Sequence, residues 1–171
     1  MGEMSENGKF YGKYRGVVKD NDDPKNLGRI RAIVPDVFGQ NDSGWAMPCL
    51  PFGGDSLGFL AVPALKAGVW IEFECGDPEY PIWSGCWWGD KSQMPKDGQS
   101  KLNQKVLIVT KGGHSIFLDD KPGSGGITLK TSGGQKLEMT PKGIIIDNGK
   151  GATIELTNNK ISINKGALEV M

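Results

Sequence analysis

The chain is poor in the side chains from which active sites are usually built. Its one histidine, His114, sits among Gly112, Gly113 and Ser115, and no second histidine completes an H-x-H or H-x-x-x-H pair. A turn residue is the expected role. Three cysteines, Cys49, Cys75 and Cys86, are odd in number and form no C-x-x-C, which argues against a secreted disulfide framework. Each is expected to pack as a small buried apolar residue. No apolar run approaches the length of a membrane span. Residues 1–9 are polar with two glycines, unlike a Sec-type signal peptide, so synthesis and folding in a cytoplasm are expected.

An excess of one charge is also missing. Lys and Arg number 20, Asp and Glu 20, which gives no support to general nucleic-acid or membrane-surface binding. The balance hides an asymmetry: residues 1–100 hold more acidic than basic groups, and the remainder reverses this while containing no arginine at all. A lysine-studded solvated surface fits the second part better than a phosphate-reading groove.

Other signatures fail on inspection. Gly53-Gly54 and Gly133-Gly134 are followed by no Gly-Lys-Ser/Thr, so neither is a phosphate loop. Asp20-Asn21-Asp22-Asp23 resembles a calcium loop in composition but lacks the glycine at the sixth position and the distal glutamate. Asp119-Asp120, on a strand, would point to opposite faces, and the Lys121-Pro122-Gly123 that follows makes an Asx-type turn the better reading. No cofactor or metal ligand set is expected.

Glycine is abundant instead. Twenty-six glycines and 10 prolines punctuate short apolar segments, the pattern of an all-β chain with many tight turns. With 171 residues, one ordinary domain or two small ones are possible. Residues 1–10 form an N-terminal segment, and 11–90 read as a compact barrel of five main strands. Tyr14-Arg15-Gly16-Val17-Val18 leads into the acidic Pro/Asn loop. Gly28-Arg29-Ile30-Arg31-Ala32-Ile33-Val34 alternates charged and apolar residues as a half-buried strand does, and Pro35 stops it. Trp45-Ala46-Met47-Pro48-Cys49-Leu50 carries a proline and belongs at an edge or bulge. In Ala67-Gly68-Val69-Trp70-Ile71-Glu72-Phe73-Glu74, Val69, Ile71 and Phe73 share a face. A turn at Gly76-Asp77-Pro78 returns the chain into Ile82-Trp83-Ser84-Gly85-Cys86-Trp87-Trp88.

Residues 91–105 turn polar and read as a linker. From 106 to 171 the pattern becomes repetitive. Apolar residues two apart recur as Ile116/Leu118, Ile127/Leu129, Leu137/Met139, Ile144/Ile146, Ile154/Leu156, Ile161/Ile163 and Leu168/Val170, most of them followed by polar, Gly, Pro or Asn residues. Short-period self-similarity is the signature of stacked β architecture. Two same-face side chains per strand make one narrow apolar face, and no other segment of the chain can cover it. Identical copies are the simplest cover. A homotrimer is expected, with Ile116, Leu118, Ile127, Leu129, Leu137, Met139, Ile144, Ile146, Ile154, Leu156, Ile161 and Ile163 meeting in a common core.

The tryptophans Trp45, Trp70, Trp83, Trp87 and Trp88 invite comparison with single-strand binders, which stack bases on aromatics set in basic grooves. Residues 69–90, however, carry Glu72, Glu74, Asp77, Glu79 and Asp90 and neither Lys nor Arg. Barrel core or subunit-interface anchor is the expected role, and nucleic acid is not expected as a partner.

Three of these strings, in this order, resemble the OB domain of the phage baseplate spike proteins (the baseplate assembly protein V and tail-lysozyme N-terminal group, shared with the type VI secretion spike). They are Tyr14-Arg15-Gly16-Val17-Val18 with Gly28-Arg29-Ile30-Arg31-Ala32-Ile33-Val34-Pro35, then Ala67-Gly68-Val69-Trp70-Ile71-Glu72-Phe73, then Gly76-Asp77-Pro78 with Pro81-Ile82-Trp83-Ser84-Gly85. Gly113-His114-Ser115-Ile116-Phe117-Leu118-Asp119-Asp120 is similar to the strand that begins the needle in that family. The resemblance implies an OB-fold barrel followed by an intertwined triple-stranded β-helix. It implies a non-enzymatic spike in a contractile phage-tail-like particle, which pierces the target envelope on sheath contraction and meets the target membrane only transiently. Implied partners are further copies of itself, hub and inner-tube baseplate proteins, and a separate PAAR-like tip protein. The apolar residues Leu168, Val170 and Met171 would form the platform for that tip. Two departures matter. Members with a lysozyme domain insert it where this chain has only a short linker, so no glycosidase is implied. The repeated histidines that bind iron at the tip of some short spikes are absent. The competing reading is an OB-fold binding module for oligosaccharide or single-stranded nucleic acid. A β-helical polysaccharide hydrolase is a weaker one, since Asp147, Glu155 and Glu169 are scattered along a short solenoid.

Overall fold

A computed structural model describes residues 8–170, which fall into two compact units, one ending at Gln93 and one beginning at Met94. Met171, the last of the expected platform residues, lies outside the described residues.

The first unit contains β1 (Tyr14–Asp20), β2 (Arg31–Ile33), the single helical turn α1 (Pro35–Phe38), β3 (Met47–Pro48), β4 (Gly53–Gly54), β5 (Leu57–Gly58), β6 (Gly68–Phe73) and β7 (Pro81–Trp87). Its main sheet has the order β2-β1-β6-β7-β3, with β4 and β5 forming a separate hairpin. All neighbours are antiparallel except β3 and β7. Ile30 and Ala46 exchange backbone hydrogen bonds of 3.2 and 2.7 Å. That bridge joins the β2 side of the sheet to the segment before β3 and curls it into a barrel.

The core follows from alternation. Tyr14 and Val18 on β1, Ile30, Ala32 and Val34 around β2, and Val69, Ile71 and Phe73 on β6 point inward with Ala46 and Trp83. Pro35 ends the β2 segment because it takes the first turn of α1, where its missing N–H costs nothing. The proline-bearing β3 is an edge strand of two residues, as a residue without a ladder donor requires.

The cysteines correct the sequence reading: Cys49, Cys75 and Cys86 are all exposed and unbridged. Each falls on the outward side of a barrel segment, and small size does not by itself bring a residue inside.

The second unit opens with short 3-10 turns at Lys96–Gly98 and Leu102–Gln104 and continues into β8 (Lys105–Val109), β9 (Ser115–Asp119), β10 (Gly126–Lys130), β11 (Lys136–Thr140), β12 (Gly143–Asp147), β13 (Thr153–Thr157), β14 (Lys160–Ile163) and β15 (Leu168–Val170). These eight strands form one antiparallel meander, every strand pairing with its sequence neighbours. It has one strand more than the apolar pairs indicate. In β8 the sequence Lys105-Val106-Leu107-Ile108-Val109 is apolar at four consecutive positions, and this masks the alternation of Val106 and Ile108.

Candidate functional site

Strand register turns the recurring apolar pairs into two unbroken columns on one face of the meander. The first column runs Ile108, Ile116, Leu129, Leu137, Ile146, Ile154, Ile163, Leu168, each residue opposite the next across a strand boundary. The second runs Val106, Leu118, Ile127, Met139, Ile144, Leu156, Ile161, Val170 in the same way. Directly opposed side chains are the closest same-face neighbours in a sheet, so each column is a continuous apolar strip. Every needle residue anticipated from the sequence lies in one of them, and Val106 and Ile108 extend them by one strand. The anticipated platform residues Leu168 and Val170 continue the same columns on the last strand.

This face is bare in the single chain. All the column residues are exposed except Leu137, Met139 and Ile163, which are half-buried; exposure ranges from 36 % at Leu118 to 61 % at Val106 among the rest. A contiguous apolar strip of this kind marks an interaction surface. From β10 onward the opposite face is mixed in character. Along it Thr128, Glu138, Ile145, Glu155 and Ser162 stand opposite one another in register. Lys136 Nζ pairs with Glu138 at 2.9 Å. That hydrogen bond, with the nearby charges of Asp147 and Glu155, holds the Lys136 ammonium above the ordinary lysine range.

The residues weighed for chemistry are occupied structurally. The His114 backbone N–H donates to Thr110 Oγ1 at 3.1 Å, and its Nδ1 accepts from the Ser132 N–H at 3.4 Å, so it fastens one turn to the next. Asp119 accepts from the Lys121 N–H at 3.0 Å, an Asx turn. Asp23, from the acidic run, is buried and accepts from the N–H groups of Lys25 (3.0 Å), Leu27 (2.8 Å) and Arg29 (3.3 Å) and from the Arg29 guanidinium at 2.5 Å. The guanidinium holds its carboxyl far below the usual carboxylate range. Among the described residues no group of three or more His, Cys, Asp or Glu is placed to hold a metal ion. No described helix is long and apolar enough to cross a membrane.

The same pair explains why glycine and arginine stand together at the start of the β2 segment. Gly28 has φ +73°, which a side chain resists, and its carbonyl accepts from Trp83 Nε1 at 3.0 Å. Arg29 then reaches back to Asp23. Asp77, in the Gly-Asp-Pro turn, accepts from the Glu79 N–H at 3.1 Å and from Lys9 Nζ at 3.1 Å, and both hold its carboxyl below the usual range.

Two basic residues escaped the sequence reading of the tryptophans, Arg29 beside Trp45 at 5.5 Å and Arg15. Arg15 of β1 lies with its guanidinium carbon 4.7 Å from the Trp87 ring centre and 5.4 Å from that of Trp70. The segment 69–90 has no cation of its own; strand pairing brings one from β1, where Arg15 stands opposite Trp70. Trp83 alone of the five tryptophans is a core residue, and Trp88 is exposed.

Comparison with known families matches both units. Residues 14–88 match the Type VI secretion system/phage-baseplate injector OB domain. Residues 105–169 match the phage baseplate V C-terminal trimerisation domain. Among curated proteins, none matches the chain. The first match covers the curled five-stranded sheet, and the second covers the meander whose apolar face is bare. The two domains stand in tandem with only 89–104 between them, and the chain belongs to the phage baseplate spike family.

Proposed function

We propose that the chain is the central hub and needle of a contractile phage-tail-like particle and pierces the target envelope when the sheath contracts. Membership of a structural baseplate family, with a trimerisation domain for self-assembly, is the ground for it. The observation that carries the reading is the pair of apolar columns running without interruption through all eight strands from β8 to β15. Three such faces turned toward one axis bury each other and leave the lysine-bearing faces in water. The result is a narrow rod, able to concentrate axial force on a small area.

The needle core in this reading is Ile116, Leu118, Ile127, Leu129, Leu137, Met139, Ile144, Ile146, Ile154, Leu156, Ile161 and Ile163, with Val106 and Ile108 added at the near end. Leu168 and Val170 on the last strand would carry the separate PAAR-like tip protein. Hub and inner-tube proteins would hold the barrel, for which the outward stack of Arg15 on Trp70 and Trp87 is a suitable anchor. The role is mechanical, with no turnover of glycan or peptidoglycan.

Two measurements test this. Light scattering of the purified chain should give about 55 kDa, three times the 18.4 kDa of one chain. Particles carrying the chain should release dye from target-envelope vesicles when they contract, and particles whose spike is truncated after the barrel should contract without that release. A mass of one chain, or undiminished release, contradicts it.

A further inference from the structure

The turn that joins β12 to β13 holds a set of contacts that a mechanical role does not use. Asp147, Asn148 and Gly149 are consecutive, and among the described residues Asn148 is the one asparagine followed by glycine. The Gly149 N–H donates to Asp147 Oδ1 at 2.7 Å. Asn148 Oδ1 accepts from two further backbone donors, the Lys150 N–H at 2.8 Å and the Ala152 N–H at 3.0 Å. The bond from Lys150 closes an Asx turn, which folds the Asn148 amide back over its own main chain, toward the nitrogen of the residue that follows. Packing requires glycine at 149. Its φ is +69°, and a Cβ there would lie 2.9 Å from the Gly134 carbonyl carbon of the neighbouring turn. The Gly149 nitrogen therefore has no side chain beside it to hinder an approach. Asn148, Gly149 and Lys150 are all exposed to water.

We propose that Asn148 is a self-modifying residue, converted to aspartate and isoaspartate by the backbone nitrogen of Gly149 with Asp147 as the base. The nitrogen attacks Asn148 Cγ while its proton passes to Asp147. Charge that builds on Oδ1 falls between the N–H groups of Lys150 and Ala152, an arrangement that holds an oxyanion. The bond from Cγ to the side-chain nitrogen then breaks, Asp147 returns the proton, and ammonia leaves. The cyclic imide takes up one water. Opening at one carbonyl gives aspartate and at the other isoaspartate, and Gly149 regains its N–H in both. One water enters and one ammonia departs, with no oxidant, metal or partner. The inference needs only this turn and does not depend on the needle reading. Its product matters to the fold because isoaspartate adds a carbon to the main chain of a turn packed against Gly134, between the column residues Ile146 and Ile154. Asn158, Asn159 and Asn164 are equally exposed in later turns, but the residues after them, Asn159, Lys160 and Lys165, carry side chains that crowd the attacking nitrogen.

The test incubates the full chain at neutral pH, folded or in guanidinium chloride, and follows each asparagine by mass spectrometry. Trypsin cuts after Lys142, Lys150, Lys160 and Lys165, so Asn148, the Asn158–Asn159 pair and Asn164 report in separate peptides. Asn148 should convert about tenfold faster in the folded chain than in the denatured one, a modest share of the roughly 100-fold or more that a positioned base contributes. The other three should remain amides over the same period. Asp147→Ser keeps an acceptor for the Gly149 N–H and removes the base, so its folded rate should fall about tenfold, to that of the denatured chain. A folded rate no higher than the denatured one means that the turn's hydrogen bonds hold Asn148 out of reaction, and it overturns the proposal. An unchanged rate in Asp147→Ser, in protein whose circular dichroism melt matches wild type, overturns it as well. Should that variant fail to fold, the comparison of folded with denatured wild type decides alone.

Discussion

At the scale of the residue, the barrel is pinned where polar groups are buried together. Asp23 is ionised in the fold, its carboxyl held far below the ordinary value by Arg29 first and then by three backbone donors. An unfolded aspartate titrates near about 3.9. The folded state therefore gains from the ionised pair above that pH and loses the gain as pH falls toward the depressed folded value. Asp23→Asn should lower the barrel's melting temperature at neutral pH. The difference from wild type should shrink below about pH 4, and a gap that stays constant into acid would mean that charge plays no part. Trp83 offers a second reading of the same corner. Its Nε1 bond to the Gly28 carbonyl ties β7 to the glycine that precedes Arg29. Trp83→Phe keeps the apolar ring and removes the donor, at a cost of about 1 kcal/mol, while Trp83→Ala should cost about 3–5 kcal/mol through the cavity it leaves. Denaturant melts followed by far-UV circular dichroism measure both.

At the scale of the element, β12 compresses the problem into three consecutive isoleucines. Ile144 and Ile146 stand in the two columns, while Ile145 faces the other way between Glu138 and Glu155. Ile145→Thr should change stability by less than about 1 kcal/mol. Ile144→Thr puts a hydroxyl into the shared face of each copy, about 1–3 kcal/mol per chain, and should shift the trimer toward monomer on dilution. Equal behaviour of the two variants, measured by sedimentation, would mean that the faces are equivalent. Such a strand also shows what can be read from sequence and what cannot. Period-two patterning located β2, β6 and β9–β15, and on β6 it put Val69, Ile71 and Phe73 on one face, the face that is the barrel core, because a strand flips every side chain if its register slips by one. It failed at β8, where apolar residues occupy both faces. It failed for the cysteines, whose size and polarity fit either side of a strand. The Arg15–Trp87 stack was invisible because it depends on which strands pair, and pairing across some 70 residues leaves no local signal. The buried role of Asp23 was hidden for a similar reason, since a four-residue acidic run gives no sign of which member will meet Arg29.

At the scale of the whole molecule, the useful accident is that all five tryptophans lie in the barrel unit and none in the meander. Indole fluorescence therefore reports the barrel alone, and mass in solution reports the needle. Ile154→Asp separates the two. Ile154 is a first-column residue, so in a threefold assembly the substitution places three carboxylates in one apolar layer. Each must lose its hydration; Lys130 and Lys136 line the same apolar trough as Ile154, and Lys136 is already paired with Glu138. Mutual repulsion adds to the desolvation, and protonation to escape both carries its own cost at neutral pH. The variant should be monomeric or aggregated, with a tryptophan fluorescence melt unchanged from wild type. Lys150→Asp is the control. Lys150 lies in the exposed turn between β12 and β13, where its backbone N–H donates to Asn148 Oδ1 at 2.8 Å whatever its side chain, so the trimer should persist. A tolerant Ile154 with a sensitive Lys150 would make this unit a charged binding surface, its apolar columns left without a partner. Loss of the fluorescence transition in Ile154→Asp would instead mean that the barrel folds only when the needle has assembled.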